Sequence, residues 1–232
     1  MNELEIDLES IRNRYQDAFE KHGDSVKSLL WSNEEKGLLR YQSLTRFIPQ
    51  TTSFSLLDYG CGFGGLETHL SKKFLQYQYC GVDIVEEFIL ANNMKLANRT
   101  TSPDIIIEYE QIKDHNQINK HYDYIAIAGV FNIFFDKSFS NKHQVEYVLS
   151  VLEKLWASTN IALSVNLMSD LVDYKLDDVF YSNPTEMYRL IAKKFSRRCV
   201  LDFSYLPFEY TITCYKDAEL AENSASDYAR LM

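Results

Sequence analysis

Apolar residues recur every three or four positions at Leu4, Leu8, Ile11, Tyr15 and Phe19, so the first element is predicted to be an amphipathic helix. Lys21 to Trp31, with His22-Gly23, reads as a loop. A second helix is predicted from about Asn33 to Phe47, stopped by Pro49. The pattern then changes. Phe54 to Tyr59 is an apolar run of strand length that breaks into Gly60, Gly62, Gly64 and Gly65, after which Leu66, Leu70 and Phe74 return to helical spacing. Strands are predicted at Tyr77 to Ile84, Asp104 to Glu110 and Tyr122 to Gly129, with a helix over Glu86 to Asn98 between the first two. Val145, Val148, Leu149, Leu152, Leu155 and Trp156 mark the next helix, and Ile161, Leu163, Val165 and Leu167 alternate along a further strand. Asn183-Pro184-Thr185-Glu186 combines an N-cap, a proline at the first helical position and a glutamate placed for a capping box. It opens a helix to about Phe195.

Strand and helix alternate until Cys199 to Tyr205 and Glu209 to Tyr215, which are strand-like and separated only by a short segment containing Pro207. A parallel crossover needs a dozen or more residues, so these two must pair as an antiparallel hairpin. The predicted architecture is three-layer α/β: a Rossmann-like, seven-stranded sheet, mostly parallel, with a C-terminal antiparallel hairpin. We expect a single domain over 1–232, with a helical N-terminal piece (1–52) able to act as a lid, a core (53–216) and a polar tail (217–232).

With 232 residues, 46% of them hydrophobic, the chain can bury a sizeable core. The net charge of −9 and a pI near 5.1 argue against a nucleic-acid surface, which needs a basic footprint. The acidic start MNELEIDLES lacks a signal-peptide pattern, and no run is long enough to span a membrane, so a cytoplasmic protein with no membrane partner is expected. Cys61, Cys80, Cys199 and Cys214 show no C-x-x-C spacing, which fits reduced thiols better than disulfides or zinc.

The candidate chemistry sits in the glycine turn. Gly60, Gly62 and Gly65 fit a dinucleotide loop, in which backbone N–H groups at a helix start approach a ligand. Asp58, in the last turn of the strand, changes that picture, because a carboxylate repels a pyrophosphate but attracts an ammonium or a sulfonium. Asp83 lies one strand–helix–strand unit further on, where doubly wound folds place an acid to accept ribose hydroxyls, and it is also placed to cap the following helix.

Asp58-Tyr59-Gly60-Cys61-Gly62-Phe63-Gly64 resembles motif I (D-x-G-x-G-x-G) of the class I S-adenosylmethionine-dependent methyltransferases. His22-Gly23, Gly129-Val130-Phe131-Asn132, Val172-Asp173-Tyr174 and Tyr205-Leu206-Pro207-Phe208-Glu209 are similar to segments of small bacterial methyltransferases of surface-glycan or secondary-metabolite pathways. The resemblance implies S-adenosylmethionine as cofactor and S-adenosylhomocysteine as product. It implies further that Asp58, Gly60 and Gly62, with Cys61 as a small filler and Gly64, hold the methionine end, Asp83 the ribose, Ile84 the adenine face, and Gly129 and Val130 the sulfonium side. Relatives have Gly-Asp where this chain has Tyr109-Glu110, which makes Glu110 the candidate for the adenine amino group. Arg40 could pair with the cofactor carboxylate or be an exposed helix arginine.

The turn after the fourth strand, Gly129 to Asn132, replaces the [DN]-P-P-[YF] turn of base-methylating relatives. Asn132 and Asn166 stand where metal-dependent relatives carry acids, so no metal is expected. The expected acceptor is a small polar metabolite methylated on oxygen, with His22 as candidate base and Tyr15, Asn132, Asn166, Tyr174, Tyr205 and Glu209 as lining. A monomer or homodimer is expected, with no nucleic-acid partner. A nicotinamide-dependent oxidoreductase and a catalytically silent partner subunit are the competing readings.

Overall fold

The structure is a computed structural model that describes residues 8–134 and 140–216. Leu4 of the first predicted helix and the tail from 217 lie outside the described residues. The elements follow in the order α1 (Leu8–His22), α2 (Glu34–Leu44), β1 (Phe54–Tyr59), α3 (Gly65–Lys73), β2 (Tyr77–Asp83), α4 (Glu86–Ala97), β3 (Ile105–Gln111), β4 (Tyr122–Ile127), α5 (Asn141–Ala157), β5 (Thr159–Met168), α6 (Pro184–Lys194), β6 (Cys199–Leu206) and β7 (Glu209–Tyr215). A single 3-10 turn, His115–Gln117, lies between β3 and β4.

Seven strands form one sheet in the order β3-β2-β1-β4-β5-β7-β6. The first five run parallel, and β7 pairs antiparallel with both β5 and β6. The expected mostly parallel sheet with a terminal hairpin is therefore the observed one. Side chains alternate between faces along each strand. Phe54 and Leu56, Tyr77 and Tyr79, and Ala126 face a core built with Leu66, Leu70 and Phe74 of the α3 segment and Leu44 of α2. Leu57 and Tyr59, Cys80 and Val82, and Ile125 and Ile127 face the opposite core, which α5 and α6 complete through Val148, Leu152, Leu155, Met187 and Ile191. Parallel strands covered on both faces read as unbroken apolar runs, which is why β1 and β4 stand out in the sequence.

Boundaries move by one to three residues from expectation, each for a local reason. Helix α1 continues through His22 rather than yielding to a loop at Lys21, and the chain turns at Gly23, whose φ of +61° suits glycine. Helix α2 starts where expected, with the Asn33 side chain accepting from the Lys36 N–H at 2.9 Å. It ends at Leu44, where the Thr45 hydroxyl folds back onto the Tyr41 carbonyl at 2.8 Å. Strand β4 stops at Ile127, short of Gly129. The Asn183 cap of α6 is as predicted, its side chain accepting from the Glu186 N–H at 3.0 Å.

Candidate active site

At the C-terminal ends of β1, β2 and β4 a cavity opens, lined by Asp58 to Gly62, Asp83, Ile84, Phe88, Ile112 and Ala128 to Phe131, and roofed by Leu8, Ile11, Tyr15, Leu29, Trp31 and Tyr41. Its floor is the glycine turn. Gly60, Gly62 and Gly64 hold φ values of +79°, +51° and +72°, a region that L side chains rarely occupy. A Cβ on Gly60 would sit 2.3 Å from a Val130 methyl, and one on Gly62 2.7 Å from a Leu29 methyl. Four of the turn's N–H groups are, however, already engaged within the protein. Gly60 and Cys61 donate to the Val82 carbonyl at 2.8 and 3.0 Å, Gly62 to Asp83, and Gly64 to the Cys61 carbonyl at 3.0 Å. What these glycines contribute is room.

Two carboxylates stand in this floor, in different states. Asp83 is braced by backbone, with Oδ2 accepting from the Gly62 N–H at 2.9 Å and Oδ1 from the Val85 N–H at 3.0 Å. It therefore shapes the glycine turn as well as facing the cavity. Asp58 is 2% exposed. Its Oδ2 accepts from the Tyr79 hydroxyl at 2.7 Å, while Oδ1 is buried without a hydrogen-bond partner. Register explains the pairing: Asp58 lies beside Gly81, so Tyr79, two residues earlier on the same face of β2, can reach it. Burial pushes the Asp58 carboxyl up to about 7, partly opposed by the Tyr79 hydrogen bond and reinforced by Asp83. Burial likewise raises Asp83 to about 6 against hydrogen bonds from the backbone at Val85, Gly62 and Ile84.

Helix α1 lies across this cavity and is tied down along its length. The Arg12 Nε donates to the Ile84 carbonyl at 3.1 Å, Arg14 pairs with Asp178 at 2.5 Å, and Gln16 donates to Glu87 at 2.8 Å. Phe19 packs against Phe63 and Phe88, with centroids 5.8 and 6.0 Å apart. Tyr15, half-buried near Asp83, has its phenol pushed up to about 12 by desolvation first and then by that carboxylate. It is a neutral wall at ordinary pH.

Beyond Trp31 lies a buried polar cluster. Arg40 makes a two-pronged contact with Glu209, at 2.6 Å from Nε and 2.5 Å from Nη2, and its guanidinium stacks 4.3 Å from the Trp31 ring. Asn166 donates to Glu209 at 3.0 Å and to the Tyr205 hydroxyl at 2.7 Å, and Thr211 donates to the same hydroxyl at 2.9 Å. Arg40 Nη1 and Asn166 Oδ1 are buried with no hydrogen-bond partner. Gly129 (φ +72°) carries the wall between cluster and cavity, since a Cβ there would come within 3.2 Å of the Trp31 Nε1.

Of the residues singled out in the sequence, Asp58, Gly60, Cys61, Gly62, Asp83, Ile84, Gly129, Val130 and Tyr15 line the cavity. Several others do not. His22 is exposed at the end of α1 and outside the lining, because the helix runs on and turns that residue to solvent. Glu110 points away from the cavity on edge strand β3, near Lys120 at 3.5 Å, since alternation along the strand puts Tyr109 and Glu110 on opposite faces. Ile112 takes the place beside Asp83, its N–H donating to the Asp83 carbonyl at 2.9 Å. Arg40 is neither exposed nor on the cavity wall but is held by Glu209. Gly64 caps α3, packed against Tyr109, without lining the cavity. Tyr174 is 76% exposed. Asn132, with Oδ1 accepting from the Met168 N–H at 3.1 Å, pins the β4 turn to the end of β5. Tyr79, Trp31 and Tyr41 went unnoticed in the sequence. Of these only Tyr79 had a signal, its position two residues before the glycine that pairs with Asp58.

Comparison with known proteins fits this geometry. Residues 57–157 match a family model described as a methyltransferase domain. Rv1506c of Mycobacterium tuberculosis, a protein provisionally named as a methyltransferase, is 25% identical over 173 residues, covering 74% of this chain and 98% of that one. The crystal structure of magnesium protoporphyrin IX methyltransferase from Synechocystis PCC 6803 with bound SAH superposes with a TM-score of 0.55 at 12% identity, over 78% of this chain and 81% of that one. The plantazolicin methyltransferase BpumL in complex with SAH gives 0.54 at 17% identity, over 90% and 96%. At such identities the solved structures establish a common fold.

Two outcomes follow from the buried charges. A carboxyl whose pKa rises on folding takes up protons in the folded state, so its stabilising contribution is full below the unfolded value near 4 and is lost as pH rises through the folded value. The protein without ligands should therefore melt at progressively lower temperature from about pH 4 to the Asp58 value of about 7, and Asp58→Asn should flatten most of that slope in calorimetry at several pH values. Arg40→Met alone strands the Glu209 charge and should cost about 3–5 kcal/mol in denaturant unfolding, whereas Arg40→Met combined with Glu209→Leu should cost clearly less.

Proposed function

We propose that the chain is a class I S-adenosylmethionine-dependent methyltransferase that transfers a methyl group from that cofactor to an oxygen of a small polar metabolite. The observation that carries the cofactor reading is the unpartnered, buried Asp58 Oδ1 in the floor of a cavity made of glycines. An isolated buried carboxylate oxygen is costly unless a donor or a cation meets it. The α-ammonium of the cofactor supplies both. Asp83 has further lone pairs for ribose hydroxyls beyond its two backbone donors, and Ile84, Ile112 and Phe88 supply an apolar wall for a flat base.

When bound, the cofactor supplies an electrophilic methyl on a sulfonium. The chain's part is to position, to exclude water and to admit the acceptor along one line. Helix α1 serves as the lid: its ties to Ile84, Glu87 and Asp178 straddle the cavity, and Tyr15 and Ile11 close it with apolar surface. In this reading the acceptor enters beside Gly129 and Trp31, which line the cavity. No histidine or lysine is among the described residues that line the cavity, and the tyrosines there hold their protons. The reading that fits is an acceptor oxygen already acidic, such as a carboxylate or an acidic hydroxyl, which needs no strong base. A fold that carries acceptors as different as magnesium protoporphyrin IX and plantazolicin does not itself choose the substrate.

Calorimetric titration with S-adenosylmethionine should show binding, and titration with NAD should show none, which separates this reading from an oxidoreductase. Asp58→Asn should weaken cofactor binding by roughly ten- to a hundred-fold, the loss of a charged acceptor worth about 1.5–3 kcal/mol, without lowering thermal stability. Equal affinity in the variant removes the assignment. Turnover across a panel of carboxylic and hydroxylic metabolites, with tRNA and protein as further acceptors, tests the acceptor class, and faster methylation of either macromolecule overturns it. A protein that binds cofactor but turns over nothing offered would favour the silent-subunit reading. For the lid, amide hydrogen exchange in residues 10 to 40 should slow when cofactor is added; unchanged exchange there rules it out.

A further inference from the structure

The hairpin β6–β7 holds a thiol pair in a position that no part of the methyl-transfer reading uses. Cys199 and Cys214 face each other directly in the antiparallel register, and their sulfurs lie 3.1 Å apart. Both are reduced. The neighbouring residues fix which kind of site this is. The Tyr215 N–H donates to the Arg198 carbonyl directly opposite at 2.9 Å, which makes 198 and 215 the hydrogen-bonded pair. Because the two kinds of pair alternate along an antiparallel ladder, 199 and 214 occupy the non-hydrogen-bonded position, where opposing Cα atoms approach to about 4.5 Å. That distance lies inside the range disulfides span. The Ser196 carbonyl, 2.9 Å from one sulfur and 3.6 Å from the other, gathers both thiols at one point.

We propose that Cys199 and Cys214 form a reversible disulfide, a covalent modification site that staples the edge strand β6 to β7. The co-reactant is a small-molecule disulfide of the glutathione type. The partly exposed Cys199, having lost its proton, attacks one sulfur of that disulfide, breaking its S–S bond and releasing one small thiol. The buried Cys214 then attacks the Cys199 sulfur, forming the internal S–S bond and releasing the second small thiol. Two protein thiols are oxidised and one external disulfide is reduced to two thiols, so atoms, protons and electrons balance. Cys61 and Cys80 are poor competitors. Both are buried in other parts of the fold, and burial raises both thiols above their ordinary range. The new bond would lie near the open end of the hairpin, opposite the turn at Pro207, and would enclose Tyr205 and Glu209 of the Arg40 cluster within its loop.

Trypsin releases both residues on one peptide, 199–216, because Arg198 precedes it and Lys216 ends it. The full chain is incubated with oxidised glutathione, quenched with an alkylating agent in denaturant, and digested without reductant. Expected is a 199–216 peptide two hydrogens lighter and unalkylated, which takes two alkyl groups once dithiothreitol is added first. The oxidised protein should melt roughly 5–10 °C higher than the reduced one, as for a loop of this length, and dithiothreitol should reverse the shift. Cys199→Ser should remove both effects while leaving cofactor binding unchanged. The proposal fails if both cysteines emerge alkylated after oxidation, if Cys199 stops at a glutathione adduct, or if either pairs with Cys61 or Cys80. None of these outcomes depends on methyl transfer, so the two readings stand or fall separately.

Discussion

A carboxylate buried at the end of the first strand of the sheet is the constraint around which the cavity is arranged. Asp58 is out of water, and a group in that position must find hydrogen-bond donors, hold a proton, or meet a cation. The fold supplies one donor, the Tyr79 hydroxyl, and leaves the other oxygen buried without one in the cavity floor. Glycine at 60, 62 and 129 lets Val130, Leu29 and Trp31 pack directly against the backbone around it, where a Cβ would collide with them. Ligand affinity and ligand-free stability are therefore opposed at this residue: the charge that favours a cationic guest makes the empty site costly.

Asp83 manages the same difficulty differently. Its two oxygens are each met by a backbone N–H, from Gly62 and from Val85. That bracing holds the glycine turn in its left-handed conformations and joins the end of β2 to the loop after β1. Asn92 adds a third tie, donating to the Gly62 carbonyl at 2.7 Å from α4. A turn this irregular keeps its shape because polar groups on β2 and α4 hold it.

The opposite wall repeats the theme with a pair instead of a lone charge. Arg40 and Glu209 come from the helix before the sheet and from its last strand, and together with Asn166 they anchor α2 to the antiparallel end of the sheet. A buried ion pair is weak evidence of net stability, but breaking it is costly, so it fixes where Trp31 can sit. Trp31 in turn stands between this cluster and the cavity. The aromatic wall of the cavity at Trp31 is thus positioned by a salt bridge on its far side.

Much of this was legible before any coordinates. Runs such as FSLLDY and YDYIAIAG reveal parallel strands because both of their faces are buried, and the short gap at Pro207 forces an antiparallel hairpin by chain length alone. Asp58 and Asp83 were legible because strand ends and glycine turns are local, set by neighbours in sequence. Only the tertiary structure decided the rest. Whether Arg40 meets solvent, a cofactor or Glu209 depends on a partner 169 residues away. Whether Glu110 faces the cavity depends on strand parity, which a one-residue shift inverts. Whether His22 is loop or helix end depends on how far α1 gains by packing Phe19 against Phe63 and Phe88. Local rules fix which elements form and where their polar ends fall, while the direction in which each side chain points, and what it finds there, is set by long-range packing that no short window of sequence contains.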